Sequence, residues 1–259
     1  MSVTEPSSNS FMLLTMVKAG SSYAGEIFQE VFRRHGYDLF DPTAIAFAQG
    51  FDVDEFIGQQ AARFCEPRYF FGPFRNREAG LAAQISPARQ ILHIRDPRDC
   101  ITSLYYSLRY SHPVPSGADE AQFLGMRRSL EAMTLDSFVR NVLYNDLFDM
   151  HGYSRNLGTF CQLKEVRQDT ILSKYEDMVM NFPDWLLGIV GQFGIDIDGG
   201  VIGEIVDRTN FLVNLRVQEN PYNHKRQILP GDYKRKLAAK TQRLVTDFFA
   251  AELEYFGYL

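Results

Sequence analysis

Phe11-Met-Leu-Leu-Thr-Met-Val-Lys-Ala-Gly-Ser-Ser-Tyr-Ala-Gly-Glu-Ile-Phe28 decides how this chain folds. Phe11 to Val17 is a short apolar run, long enough for a buried strand and too short for a core helix, so it predicts a central parallel strand. Lys18, Ala19, Gly20, Ser21 and Ser22 then make a small polar turn. From Ser22 onward Tyr23, Ile27, Phe28, Val31 and Phe32 recur at helical spacing. A strand, a compact loop and a helix in that order leave backbone N–H groups aimed outward at a helix N-terminus, where an anion is favoured by ~0.3–1 kcal/mol. Lys18 adds a full positive charge beside them.

Composition sets the frame around this stretch. The chain has 259 residues, 45% of them hydrophobic, with 21 Phe and 13 Tyr, enough to bury a large core. One α/β domain over 1–259 is expected, since α/β folds of this length are commonly undivided. The net charge of −5 excludes a general surface for nucleic-acid polymers, so an anionic ligand needs a local basic pocket. Cys65, Cys100 and Cys161 are odd in number and far apart, which fits a reducing, cytoplasmic compartment and neither a disulfide framework nor a zinc site. Met1 to Ser10 has no basic segment, and the apolar run after it is too short for a signal sequence or a membrane span, so no targeting segment is expected.

Further elements follow along the chain. Phe40-Asp-Pro-Thr43 reads as a turn, and Val53 to Phe64 as a helix capped by Asp52 or Asp54. Arg68 to Phe74 reads as a second strand ending at Gly72-Pro73. Ile91-Leu-His-Ile94 is a buried strand leading into Arg95-Asp-Pro-Arg-Asp99 and a helix to about Tyr110. Asp96 suits the N-cap of that helix, Pro97 its first position, and Asp99 its first turn. A mostly helical stretch covers about 112–163, Thr170 to Tyr175 is a further strand, and a helix runs from Trp185 to Phe193. The segment from Ile205 to Val217 reads as helix giving way to loop. A basic irregular segment from His224 to Lys234, with a turn at Pro230-Gly231, precedes a last helix to about Phe256. Alternating strands and helices predict a mainly parallel sheet flanked by helices, with ligands at the carboxyl ends of the strands.

The loop at Lys18 is not a GxxxxGK[ST] phosphate loop, because its lysine precedes its only glycine and no magnesium-binding hydroxyl follows a Gly-Lys pair. A second anion-binding constellation is Arg95-Asp-Pro-Arg-Asp-Cys-Ile-Thr-Ser103-Leu-Tyr-Tyr106, with Arg95 at a strand end and Ser103 two turns into the next helix. The plainer alternative is a capped helix whose arginines face solvent.

These residues resemble a known family, the sulfotransferases that use 3′-phosphoadenosine-5′-phosphosulfate (PAPS). Their PKSGTTW loop is matched by Val17-Lys-Ala-Gly-Ser-Ser-Tyr23 and their RNPKDxxxSxYY motif by Arg95 to Tyr106 with its spacing kept. Tyr175-Glu-Asp-Met178 is similar to the YEDL element, and Arg226-Gln-Ile-Leu-Pro-Gly-Asp-Tyr-Lys234 to RKGxxGDWK. The resemblance implies a phosphate-loop-like α/β sulfotransferase fold, PAPS as co-substrate and PAP as product, with no metal. It further implies that Lys18 contacts the bridging oxygen and the sulfuryl group, that Ser21 and Ser22 hold the 5′-phosphate with the N–H groups of Ala19 and Gly20, and that Tyr23 takes the place of the loop tryptophan. Arg95, Ser103 and Arg226 would bind the 3′-phosphate, with Gln227 where the family has lysine. Tyr175 and Phe211 would lie on the adenine side.

Val17 replaces the loop proline, and Ile228 the glycine of RKG. Many members carry a catalytic histidine at a strand end, and Tyr69 to Phe74 has none; other members use glutamate. Glu78 is therefore the first candidate base and His112 the second, against the plain reading of each as a solvated side chain. His93 reads as a satisfied core histidine. The expected acceptor is a small molecule or saccharide carrying a hydroxyl, or less favourably an amine, bound against about 112–163 and the aromatic run Tyr69–Phe74. Two alternatives are a phosphate-loop kinase and a non-catalytic PAP-binding regulatory domain.

Overall fold

The computed structural model describes residues 10–114, 120–144, 153–167, 169–209, 219–222 and 227–259. The chain divides into two compact units, one within Met1–Arg95 and Tyr153–Phe211, the other within Asp96–Gly152 and Leu212–Leu259.

The first unit is built on five strands, β1 (Phe11–Thr15), β2 (Asp38–Phe40), β3 (Tyr69–Arg75), β4 (Arg89–Ile94) and β5 (Ile171–Lys174). They pair in the order β2-β3-β1-β4-β5, every pair parallel. β1 is central and buried at every position, as a continuous apolar strand must be when helices cover both sheet faces. The helices of this unit are α1 (Ser21–Arg34), α2 (Pro42–Gln49), α3 (Val53–Gln59) and α4 (Asn76–Ile85). They are joined by α8 (Tyr153–Val166), α9 (Tyr175–Met180), α10 (Phe182–Gly191) and α11 (Gly199–Arg208). Successive residues of β3 feed opposite layers, as the two-residue period of a strand requires. Phe70 stacks on Phe32 of α1 at 4.7 Å between ring centroids, and Phe71 meets Phe64 at 4.9 Å.

Register fixes what stands at the ligand edge. Thr15 of β1 lies level with Arg75 on one side and His93 on the other, and His93 is level with Ser173. The loop after β1 thus leaves the sheet between the ends of β3 and β4.

The second unit holds α5 (Pro97–Tyr106), a π-helical turn (Ser107–Ser111), α6 (Glu120–Glu131) and α7 (Leu135–Tyr144), with C-terminal helices over Asp232–Lys236, Ala239–Phe248 and Ala250–Tyr255. Its core includes Leu104, Phe138, Val142, Val245 and Phe249. The expected cap of α5 is present: Asp96 accepts from the Arg98 N–H at 2.9 Å and Pro97 opens the helix.

Several expectations needed correction. β3 does not end at Gly72-Pro73 but runs to Arg75 through a bulge, with Gly72 at φ 96°, where a Cβ would stand 2.9 Å from the Leu13 carbonyl oxygen. The turn read at Phe40-Asp-Pro-Thr43 opens α2, with Asp41 as its N-cap accepting from Ala44 N–H at 2.9 Å. α3 stops at Gln59 instead of Phe64 and is capped by Asp52, not Asp54. The last helix breaks at Phe249. Arg98 does not face solvent: it is buried, forks onto the Asp96 carboxylate at 2.8 Å and donates to the Tyr258 carbonyl at 3.0 Å.

Candidate functional site

The site in the first unit starts from the backbone of the loop. Lys18 adopts φ 67° and Gly20 φ 78°, two left-handed positions on either side of Ala19. Gly20 is the N-cap of α1 and supplies no side chain, and the first turn of α1 has no acidic residue. That helix end therefore keeps its positive partial charge for an incoming anion. No larger residue fits at Gly20, since a Cβ would meet Cε2 of Tyr175 at 2.6 Å.

Three motifs of the sequence converge here. The Arg95 guanidinium, at the end of β4, donates from Nη1 to the Lys18 carbonyl at 3.1 Å and lies over the Tyr175 ring at 4.2 Å. Tyr175, first residue of α9, packs against Gly20 in turn. The Lys18 loop, Arg95 and Tyr175 thus form one contact set, with a cation–π pair of the kind that gains strength when desolvated. Arg95 and Tyr175 are both buried.

A second group flanks the loop at the end of β3. Arg75 Nε donates to Ser21 Oγ at 2.8 Å, and the Arg75 N–H donates to Glu78 Oε2 at 3.2 Å, closing the N-terminus of α4. Burial pushes the Glu78 carboxyl up from its ordinary range, the Asp41 charge adds to this, and Arg75 opposes it. Asp41 is likewise raised by burial. Arg75 was not foreseen from the sequence; the one available signal was an arginine directly after an aromatic strand, obscured by ending that strand at Gly72-Pro73.

Behind the loop, His93 is wholly buried and hydrogen-bonded through both ring nitrogens, Nδ1 to Ser173 Oγ at 2.8 Å and Nε2 to the Ala19 carbonyl at 2.9 Å. This agrees with a satisfied core histidine. Burial lowers its pKa to about 4, so the ring is neutral at pH 7.

The remaining candidates are placed as follows. Ser22 is exposed at the start of α1, whereas Tyr23 is turned into the core with 8% of its surface accessible. In the second unit, Ser103 is half-buried on α5, and Gln227 is half-buried beside buried Ile228. His112 is exposed, with its Nδ1 on the Pro113 carbonyl at 2.8 Å. Asp99, expected only to suit the α5 dipole, also accepts the N–H groups of Gly231 at 2.7 Å and Tyr233 at 2.9 Å, which anchors the RKGxxGDWK-like segment. Phe211 and Arg226 lie outside the described residues. Among the described residues no cluster of His, Cys, Asp and Glu could hold a metal ion, and no helix is long and apolar enough to cross a membrane.

A parallel sheet with an anion-ready loop after its central strand defines a phosphate-loop-like α/β protein. A family model, the sulfotransferase domain, matches residues 8–254. The chain belongs to the sulfotransferase family. Its fold is similar to that of mouse sulfotransferase SULT7A1 complexed with PAP, at TM-score 0.66 and 17% identity, over 96% of this chain and 86% of that one. It is also similar to retinol dehydratase in a complex with retinol and PAP (TM-score 0.54, 12% identity, 94% and 81% coverage). The same enzyme in complex with androsterone and inactive cofactor PAP gives TM-score 0.52 and 12% identity, with 94% and 80% coverage. No curated protein sequence matches the chain.

Proposed function

We propose that the chain transfers the sulfuryl group of PAPS to a hydroxyl of a small-molecule acceptor by in-line displacement. The observation that carries this reading is the bond from Arg95 to the Lys18 carbonyl over the Tyr175 ring, which joins three family motifs in one contact set. The residues fit the co-substrate: an uncapped helix end at Gly20, with the Arg75 and Arg95 guanidiniums each bonded to the loop. In this reading Lys18 meets the bridging oxygen, and Ser21, Ser22 and the N–H groups of Ala19 and Gly20 hold the 5′-phosphate. Arg95, with Ser103 and Arg226, meets the 3′-phosphate, and Tyr175 and Phe211 the adenine side. Gln227 stands where the family has a lysine. Charge moves onto the leaving phosphate in the transition state, and a cation about 4 Å away is worth ~4 kcal/mol at an effective dielectric of 20. Lys18 supplies that charge. Arg75, tied to Ser21, adds a second positive group at the same edge.

Glu78 is the favoured base over His112. It is linked to the loop through Arg75, and its carboxyl is raised toward the range where it can take a proton from an acceptor hydroxyl. His112 is exposed and its ring is engaged by Pro113. The ligands named with the structural neighbours, retinol and androsterone, are small alcohols, which supports a hydroxyl-bearing small molecule as acceptor; a saccharide hydroxyl or an amine is the less favoured acceptor. The odd number and wide spacing of Cys65, Cys100 and Cys161 fit a cytoplasmic setting. Calorimetry with PAP and with ATP, each with and without magnesium, tests the reading. PAP binding without magnesium is expected, and magnesium-dependent ATP binding alone would overturn it.

A further inference from the structure

The Ala19 carbonyl of the loop is held from behind by a hydrogen-bond chain whose direction is fixed at both ends. Trp185 Nε1 donates to Ser173 Oγ at 3.0 Å, and an indole N–H can only donate. The Ser173 hydroxyl proton is then free to go to His93 Nδ1, 2.8 Å away. The far ring nitrogen, Nε2, faces the Ala19 carbonyl at 2.9 Å, and a carbonyl can only accept. The ring therefore carries its single proton on Nε2. His93 and Ser173 are buried in β4 and β5 and Trp185 in α10, so the chain rests on sheet and helix rather than on loop.

A trans peptide is planar, with its C=O and N–H pointing in opposite directions. Drawing the Ala19 carbonyl onto His93 aims the Gly20 N–H away from the core, toward the open end of α1. Among the described residues that N–H meets no acceptor. We propose that Trp185, Ser173 and His93 act as positioning residues that aim the Gly20 N–H at the phosphosulfate group of the co-substrate. None of the three touches the ligand. The proposal rests on the sulfuryl-transfer reading and adds to it a device outside the four sequence motifs.

The test compares wild type with Ser173→Ala, which removes the hydroxyl from His93 Nδ1 while keeping the imidazole itself, and with Ser173→Thr, which restores a hydroxyl. Trp185→Phe serves as a second break should Ser173→Ala fold poorly. Nitrogen-15 NMR reads the His93 tautomer and the Gly20 amide, and calorimetry reads PAP affinity. Wild type is expected to show the Nε2–H tautomer and a Gly20 amide shift on adding PAP. Ser173→Ala should lose that shift and about two- to tenfold in PAP affinity, with Ser173→Thr restoring both. A merely structural serine would lower stability without moving the Gly20 resonance. Wild-type PAP binding matched by Ser173→Ala, or an Nδ1–H tautomer, would overturn the proposal. If wild type bound no PAP, the functional reading would fail instead. The positioning device would then be upheld by a Gly20 amide shift between ligand-free wild type and Ser173→Ala, and overturned by identical spectra.

Discussion

Gly20→Ala probes the loop at its tightest point. Gly20 sits at φ 78° and ψ 25°, a conformation that costs an L-residue about 1 kcal/mol. The added Cβ would also stand 2.6 Å from Cε2 and 2.7 Å from Cδ2 of Tyr175. The ring cannot swing clear, because it is 3% exposed and lies under Arg95 at 4.2 Å. Forcing extra volume into a packed site costs about 1–3 kcal/mol, so the two effects together come to about 2–4 kcal/mol. Urea unfolding of wild type, Gly20→Ala, Tyr175→Ala and the double variant separates them. With the ring removed, Gly20→Ala should cost only the backbone share of about 1 kcal/mol. An equal cost in both backgrounds, or a total below about 0.5 kcal/mol, would refute the packing argument.

Two other outcomes are expected. For His93, the native pKa of about 4 lies below its ordinary value of 6.5, so between those pH values the unfolded chain binds a proton that the native protein does not. Stability from this group is full above pH 6.5 and declines as pH falls toward 4, by roughly 3 kcal/mol at 1.36 kcal/mol per unit. Unfolding titrations of wild type and His93→Asn should differ in slope over that window, and parallel curves would contradict the burial argument. For Glu78, the raised carboxyl pKa puts the acid limb of the pH–rate profile above the ordinary carboxylate range, with activity lost as pH falls through it. Glu78→Gln should lower turnover by roughly 100-fold or more and abolish that limb; a variant that kept both turnover and limb would remove Glu78 as the base.

How much of this was legible in the sequence depended on how local each feature is. β1, its loop and α1 could be read because an abrupt change from apolar run to small polar turn to helical spacing lies within Phe11 to Phe28. The α5 cap could be read because Asp96, Pro97 and Asp99 each carry a positional preference of their own. β2 was missed since three residues, two of them exposed, make no period. The extent of β3 was missed because Gly-Pro ordinarily stops a strand, and only pairing with β1 reveals the bulge that absorbs it. Arg75 and Ser173 become site residues through the register that sets Arg75, Thr15, His93 and Ser173 level across four strands, and Trp185 joins them from α10 through its bond to Ser173, so none of the three roles is written in the local sequence. The burial of Arg98 could not be read from its neighbours, because two of its partners, Thr246 and Tyr258, are remote in sequence.

The central claim is that Lys18 carries sulfuryl transfer. Wild type and Lys18→Ala incubated with sulfur-35-labelled PAPS and a panel of small alcohols test it directly. Labelled product from wild type is predicted, with turnover by Lys18→Ala lower by about 100- to 1,000-fold, the loss expected when one preorganised group at a developing charge is removed. Transfer by Lys18→Ala at the wild-type rate would contradict the account.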